Sequence, residues 1–454
     1  MITSLHRSLL ALALVIGFAA LTRAEEPVSF RKQIAPVLLS NCLACHGPKK
    51  AEGGYRIDTF ERLTGEGDSG SAGFTAKDLD GSEAFRRMAS DDQSERMPLE
   101  ADPIPKEQLA LIERWIEQGA KYDADNPKAD LATIVPPPEH PPAPETYPNT
   151  MPITALAFSP DGEALYASGY HELTVWNVED GAMLRRIGNV GERTYALAFS
   201  PDGKTLAVAS GAPGRLGEVR LLDAAKGELK SVLATAADVM FDVAFSPDGK
   251  QLACCAADGV IRIFQMPEGK ELRTITSHSD WVTAVAWSAD GKRLISASRD
   301  KTAKVFDVET GDLVITYSGH GQPVKGVAFH PDGKEAYSGA SDKKIHRWKI
   351  EDGKKSADVG SFGDEVYKLV AAGETFIATS ADKSVRQYDL KSHKELKKYA
   401  GHADWVLSAA YNAKTKRLAT GGFDGEVRIW NTDDGKQTTA FLAAPGLPLA
   451  EKGK

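Results

Sequence analysis

Five consecutive residues, Cys42-Leu43-Ala44-Cys45-His46, carry the most specific chemistry in this sequence. Two thiols three positions apart on a helical turn can each form a thioether to one vinyl group of haem. His46 is then held beneath the iron as its proximal ligand. Three other chemistries use the same residue types. A structural zinc needs four ligands, and this region offers only Cys42, Cys45 and His46 as soft donors. A thioredoxin-like pair follows a strand in an α/β unit, whereas this pair follows a helical pattern. A plain disulfide suits an oxidising compartment but leaves His46 unexplained. The motif points to one covalently bound haem c with its iron on His46.

The second axial position is narrowed by elimination. His46 is the only histidine between Glu25 and Asp125, so another nitrogen ligand would have to come from His140 or beyond. Two methionines remain. Met88 shares an i, i+3 face with Phe85, which reads as core packing. Met97 precedes Pro98 in an irregular stretch, where a thioether can be aimed without breaking a helix. Met97 is the expected distal ligand, with Met88 or an open site as alternatives.

Helices must position these groups. Phe30, Ile34, Val37 and Leu38 recur at i, i+4, i+7 and i+8, an amphipathic helix that runs into Asn41 and delivers the motif. Pro105 opens a second helix with Leu109, Ile112 and Ile116 on one face and Gly119 as its stop. Between them, Gly53 to Gly81 is polar and glycine-rich. Arg56-Ile57-Asp58 and Asp68-Ser69-Gly70 in that stretch read as turn chemistry. Residues 25–125 are expected to form a small all-α haem domain.

Ahead of it, residues 1–24 pair a short cationic start (His6, Arg7) with an apolar run from Leu9 to Leu21 and a small residue, Ala24. That is the pattern of a cleaved secretory signal. The apolar run is short for a membrane span, which needs about 20 residues, and no later segment could cross a membrane. The expectation is an exported protein of the periplasm or cell envelope. The 454 residues carry a net charge of −8 with no Lys/Arg-rich block, which argues against nucleic acid as a partner. Four cysteines exclude a disulfide-stapled scaffold.

Nine of the 24 prolines fall between Asn126 and Pro152, so residues 126–150 read as a semi-rigid spacer. After it, Phe158-Ser159-Pro160-Asp161-Gly162 returns with its last residue at Gly203, Gly249, Gly291 and Gly333, in steps of 41, 46, 42 and 42. Degenerate copies follow near Gly373 and Thr415. Each copy places an apolar or aromatic residue in its third strand: Trp176, Leu222, Phe264, Phe306, Trp348, Tyr388 and Trp430. Seven copies of about 42 residues predict an all-β, seven-bladed propeller over residues 151–443, followed by a tail, 444–454. The last blade could be completed by Lys436 to Ala443 or by the segment near Thr146. Cys254 and Cys255, adjacent in a predicted strand, should point to opposite faces as buried small residues.

Two resemblances follow. Residues from Phe30 to Tyr122 resemble the cytochrome c-like domain common in secreted planctomycete proteins. The likeness rests on Cys42 to Pro48, Gly53-Gly54-Tyr55-Arg56-Ile57-Asp58, Gly67-Asp68-Ser69-Gly70, Arg96-Met97-Pro98 and Trp115 to Ala120. It implies a single covalent haem, with Met97 at the family's Met-Pro position, and electron transfer in a generic sense. From Met151 to about Ala443 the sequence resembles the WD40 family. Three repeats hold that family's hydrogen-bonded set in fixed register: His278/Ser296/Asp300, His320/Ser338/Asp342/Trp348 and His402/Thr420/Asp424/Trp430. In the first, Phe306 replaces the tryptophan. A His–Asp–Ser set looks like a hydrolase triad, but one that recurs at a single offset is blade-stabilising.

The expectation is a secreted monohaem protein that transfers one electron at a time, its propeller docking an unidentified redox partner or envelope component. An enzyme with its active site in the propeller and the haem as electron outlet, or a non-redox binding scaffold, are the alternatives.

Overall fold

Phe30, Ile34, Val37 and Leu38 all turn inward, as their spacing requires, and Phe30, Ile34 and Leu38 are within 1% of full burial. In this computed structural model, which describes residues 26–447 apart from 49, 100 and 138, the chain divides into two compact units, up to residue 137 and from 138 onward. Residues 1–25, which include the expected signal segment 1–24, and the tail beyond residue 447 lie outside the described residues. Among the described residues, no helix is long and apolar enough to cross a membrane.

The first unit is helical. Its entry is capped by Ser29, whose side chain accepts from Lys32 N, and passes from a π-helical turn (Phe30–Ile34) into α1 (Ala35–Cys42). Three short helices, α2 (Phe60–Leu63), α3 (Glu83–Met88) and α5 (Leu131–Ile134), accompany the longest, α4 (Lys106–Glu117). Pro105 caps α4 and Gly119, at φ 100°, ends it. Phe30, Leu63, Ile112, Trp115 and Ile116 share one core with Leu131.

The second unit is a ring of seven antiparallel four-stranded sheets, each built from consecutive strands, at 156–187, 193–236, 240–275, 282–317, 324–361, 366–400 and 406–442. The repeated Ser-Pro-Asp-Gly is the turn between the first two strands. Asp161 accepts from Ser159 Oγ at 2.5 Å and Glu163 N at 3.0 Å, and Gly162 takes the positive φ of 81° that the turn needs. The third-strand residues read from the sequence, Trp176 to Trp430, are all buried. Immediately before each of the seven, the pairing of third and fourth strands shifts register, a β-bulge repeated in every blade.

The last blade is completed by the strand Gln437–Leu442, not by the segment near Thr146. The first and last blades are locked side by side by Ser408 Oγ on Ile153 O (2.6 Å), Thr439 Oγ1 on Val178 O (3.2 Å) and stacking of Trp176 on Phe441. Cys254 and Cys255 face opposite neighbours: one joins the core shared with the preceding blade, the other the core shared with the next.

The proline-rich stretch is not free along its length. Leu131 is fully buried in the first unit, its N–H on Asp58 O at 2.8 Å. Farther on, Tyr147 donates to Glu172 (2.7 Å), which also accepts from Arg186 (2.6 Å), and His140 pairs with buried Glu218. Proline content reports backbone stiffness; the apolar and ionic anchors between the prolines decide what the segment packs against.

Candidate functional site

The helical turn continues past Cys42. Cys45 N and His46 N both donate to Cys42 O, at 3.2 and 2.9 Å, so the two thiols and the imidazole wind around one turn. Gly47 follows because a Cβ there would lie 2.5 Å from Leu43 O. Two backbone bonds, Glu52 N to Cys45 O (3.1 Å) and Ile57 N to His46 O (2.8 Å), fold the next segment back over the motif. That return brings Tyr55 O to 3.3 Å from His46 Nδ1. A carbonyl can only accept, so this contact puts the proton on Nδ1 and leaves Nε2 with its lone pair, the arrangement that orients metal-binding histidines.

Beside the turn lies a cavity of about 250 Å³. Cys42 and His46 form part of its wall, Met88 and Met97 another part, and Leu38, Ile57 and Phe74 supply apolar surface. Glycine is required there: a Cβ at Gly73 would meet Tyr55 Oη at 2.0 Å, where that hydroxyl donates to Leu63 O at 2.5 Å. Cys45 is exposed at the end of the turn. The Cys42 thiol is pushed up to about 11 by burial and by neighbouring Cys45, which disfavours a thiolate. Met97 is half-buried in irregular chain, its N–H on Arg87 O at 3.1 Å; Met88 is buried at the end of α3. The sequence placed Met88 in the core, and it is both there and at the cavity wall.

The block Arg56-Ile57-Asp58 does more than turn the chain. Asp58, 8% exposed, receives Arg56 through two bonds of 2.8 Å and Arg62 at 3.3 Å. Burial pushes its carboxyl up, but these partners outweigh it and hold it low. Only the i, i+2 spacing of Arg56 and Asp58 hinted at this.

In the propeller the three histidine sets form as spaced. His278, His320 and His402 each turn Nδ1 to an aspartate (Asp300 and Asp342 at 2.8 Å, Asp424 at 3.3 Å) and Nε2 to Ser296, Ser338 or Thr420 at 2.7–2.9 Å. Trp348 and Trp430 donate into the same hydroxyls at 3.2 and 3.0 Å. Every member is engaged, with the histidines and hydroxyls buried inside the blade and the aspartates partly buried at its turn, which fits packing rather than catalysis. His346 was not visible as a partner. It stacks on His320 with ring centroids 4.0 Å apart and 6° between planes, and its Nδ1 meets Tyr317 Oη at 2.8 Å. Burial, with His320 beside it, pushes it down to about 4. His320, Asp342 and His346 cluster like metal ligands, but parallel stacked imidazoles cannot both aim in-plane lone pairs at one ion. The central channel, about 420 Å³, carries two charged residues on its wall, Asp242 and Lys368, paired at 3.2 Å.

These features define a repeat propeller preceded by a small helical unit with a Cys-x-x-Cys-His cavity. Residues 42–100 match the family described as Planctomycete cytochrome C, and residues 227–265, 269–307, 311–349 and 393–431 match the WD domain, G-beta repeat. The chain joins a planctomycete-type cytochrome c-like domain to a WD40-repeat β-propeller. Among curated proteins, it is 37% identical over 70 residues to apoptotic protease-activating factor 1 of Rattus norvegicus, covering 15% of this chain and 5% of that protein. The Homo sapiens protein of the same name is 36% identical over 78 residues (17% and 6%). DDB1- and CUL4-associated factor 10 of Xenopus tropicalis is 37% identical over 59 residues, 13% of each chain. The chain thus spans only a small fraction of these relatives' length.

Proposed function

We propose that the protein is an exported monohaem c-type electron carrier whose propeller docks it to a redox partner or envelope component. The reading rests on one observation: His46, with Nδ1 taken by the Tyr55 carbonyl, walls the same cavity as Cys42 and Met97. The residues present fit the group. Two cysteines on one turn would hold it by thioethers, and His46 Nε2 and the Met97 thioether would ligate its iron. The glycine at position 73 leaves Tyr55 room to hold that wall. Zinc fits less well, because the half-buried Cys42 resists ionisation and the described residues of the wall offer no fourth soft donor of the cysteine or histidine type. Haem bound there supplies a single one-electron couple. The chain's own part would be to fix His46 and Met97 as donors and to keep the surrounding wall largely apolar.

The test is expression with c-type maturation, denaturation and extraction into acid-acetone. Haem should remain with the chain; free extraction refutes the reading. Amino-terminal sequencing of the exported protein should start at Glu25. Affinity capture from the native envelope fraction, with haem reduced and then oxidised, should identify the partner of the propeller.

A further inference from the structure

Arg86 and Arg87, near the end of α3, both turn back on Glu83, one helical turn earlier. Arg86 takes Glu83 through Nε and Nη2, at 2.8–3.0 Å, and also faces Glu95 at 3.7 Å. Arg87 makes one such bond, Nε to Glu83 Oε1 at 2.7 Å. Among the described residues, no hydrogen bond or ion pair occupies its two terminal amino groups. Glu83 and Arg87 wall the cavity beside Cys42 and His46; Arg86 does not. Glu83 therefore serves two guanidiniums, and Arg87 keeps its two terminal amino groups as unused donors at the cavity wall. Arg87 is also the only lysine or arginine among the described residues of that wall, where the remaining titratable groups are Cys42, His46, Glu52, Tyr55, Asp68 and Glu83. Its carbonyl accepts from Met97 N, so one residue fixes both this charge and the segment carrying Met97.

We propose that the Arg87 guanidinium binds the carboxylate-bearing edge of the group held in this cavity, the haem propionates, and thereby raises its reduction potential. This rests on the haem reading above. A planar guanidinium with two free amino groups matches a carboxylate bidentately. Reduction adds a negative charge to the site, and a fixed cation at short range favours the state that carries it. Glu83 opposes Arg87, so the two residues act with opposite sign.

The experiment is a spectropotentiometric titration of the full-length holoprotein and three variants. Arg87→Gln should lower the midpoint potential, Arg87→Lys should restore part of it, and Glu83→Gln should raise it. All three should keep one covalent haem per chain, because the cysteines are untouched. They should also keep the sulfur-to-iron band, because the residue-87 carbonyl remains. Altered melting with unmoved potentials would mean that Arg87 is only structural, and would overturn the proposal. So would potentials that move in the same direction in the Arg87→Gln and Glu83→Gln proteins. Should Arg87→Gln fail to fold, Arg87→Lys and Glu83→Gln carry the same comparison. Wild-type protein without covalent haem overturns the haem reading itself, a result distinct from a loaded protein whose potential ignores residue 87.

Discussion

Replacing Asp300 by asparagine should cost the propeller roughly 2 kcal/mol near neutral pH, and that cost should fade in acid. The carboxylate is 8% exposed and receives four donors: Thr302 Oγ1 (2.6 Å) and Thr302 N (3.0 Å) on one oxygen, His278 Nδ1 (2.8 Å) and Ser279 N (3.2 Å) on the other. Burial alone would raise its pKa. The donors outweigh burial and bring it from 3.8 down to about 2. At about 1.4 kcal/mol per pH unit of displacement, that difference sets the figure. Asparagine keeps one acceptor and turns an N–H toward two donors. The sign is that of a depressed carboxyl: the contribution is complete above the unfolded value near 4 and is lost as pH falls through about 2. His278, pushed down chiefly by burial and held up in part by Asp300, adds a separate loss that begins near pH 6.5 and is larger in the variant, so the fade of the carboxyl's contribution is read below pH 4. Urea denaturation followed by far-UV circular dichroism, which the seven sheets dominate, should be run on both proteins from pH 6 to pH 2.5. A deficit that stays constant across that range refutes the reasoning.

Three further outcomes are expected. Met97→Ala should abolish the sulfur-to-iron band of the oxidised protein and lower its potential, whereas Met88→Ala should keep the band and cost about 2–4 kcal/mol through the void it leaves; visible spectroscopy and denaturation separate the two. Asp342→Ala should leave the His320 Nδ1–H unpaired and destabilise the propeller by about 1–3 kcal/mol, read by calorimetry, with the haem spectrum unchanged. A chain ending at residue 436 lacks the outer strand of the last blade and exposes Trp176, which stacks on Phe441; its propeller should lose cooperative melting.

The blade count was legible because each turn demands the same chemistry. An Asp that accepts locally and a Gly at positive φ recur wherever the ring needs that turn, and the His/Ser/Asp offsets are fixed by strand length. The cysteine turn and the two long helices were legible for the same kind of local reason. What escaped depended on residues distant in sequence. Nothing near Leu131 or Tyr147 marks them as anchors, since their partners, Asp58 and Glu172, lie 73 and 25 residues away. Ring closure rested on Ser408 meeting Ile153, 255 residues apart. The choice between Met88 and Met97 was argued from helix periodicity, which reports burial and says nothing of a cavity that both side chains border.

The bulge repeated before each buried third-strand residue, Trp176 to Trp430, bears on solubility. A ring of seven separate sheets has seven outer strands with unpaired backbone edges, each a template for strand addition from another molecule. The bulge twists that edge away from the flat geometry addition requires. Most outer strands add charge: Arg185 and Arg186, Lys230, Lys270 and Arg273, Lys355, Lys397 and Lys398. The outer strands of the fourth and last blades, Leu313–Tyr317 and Gln437–Leu442, carry none, and of the two the fourth exposes large apolar side chains, Leu313 and Val314 at 48% and 42%. There the bulge alone guards the edge, so crowding this protein should produce edge-to-edge association through that blade first.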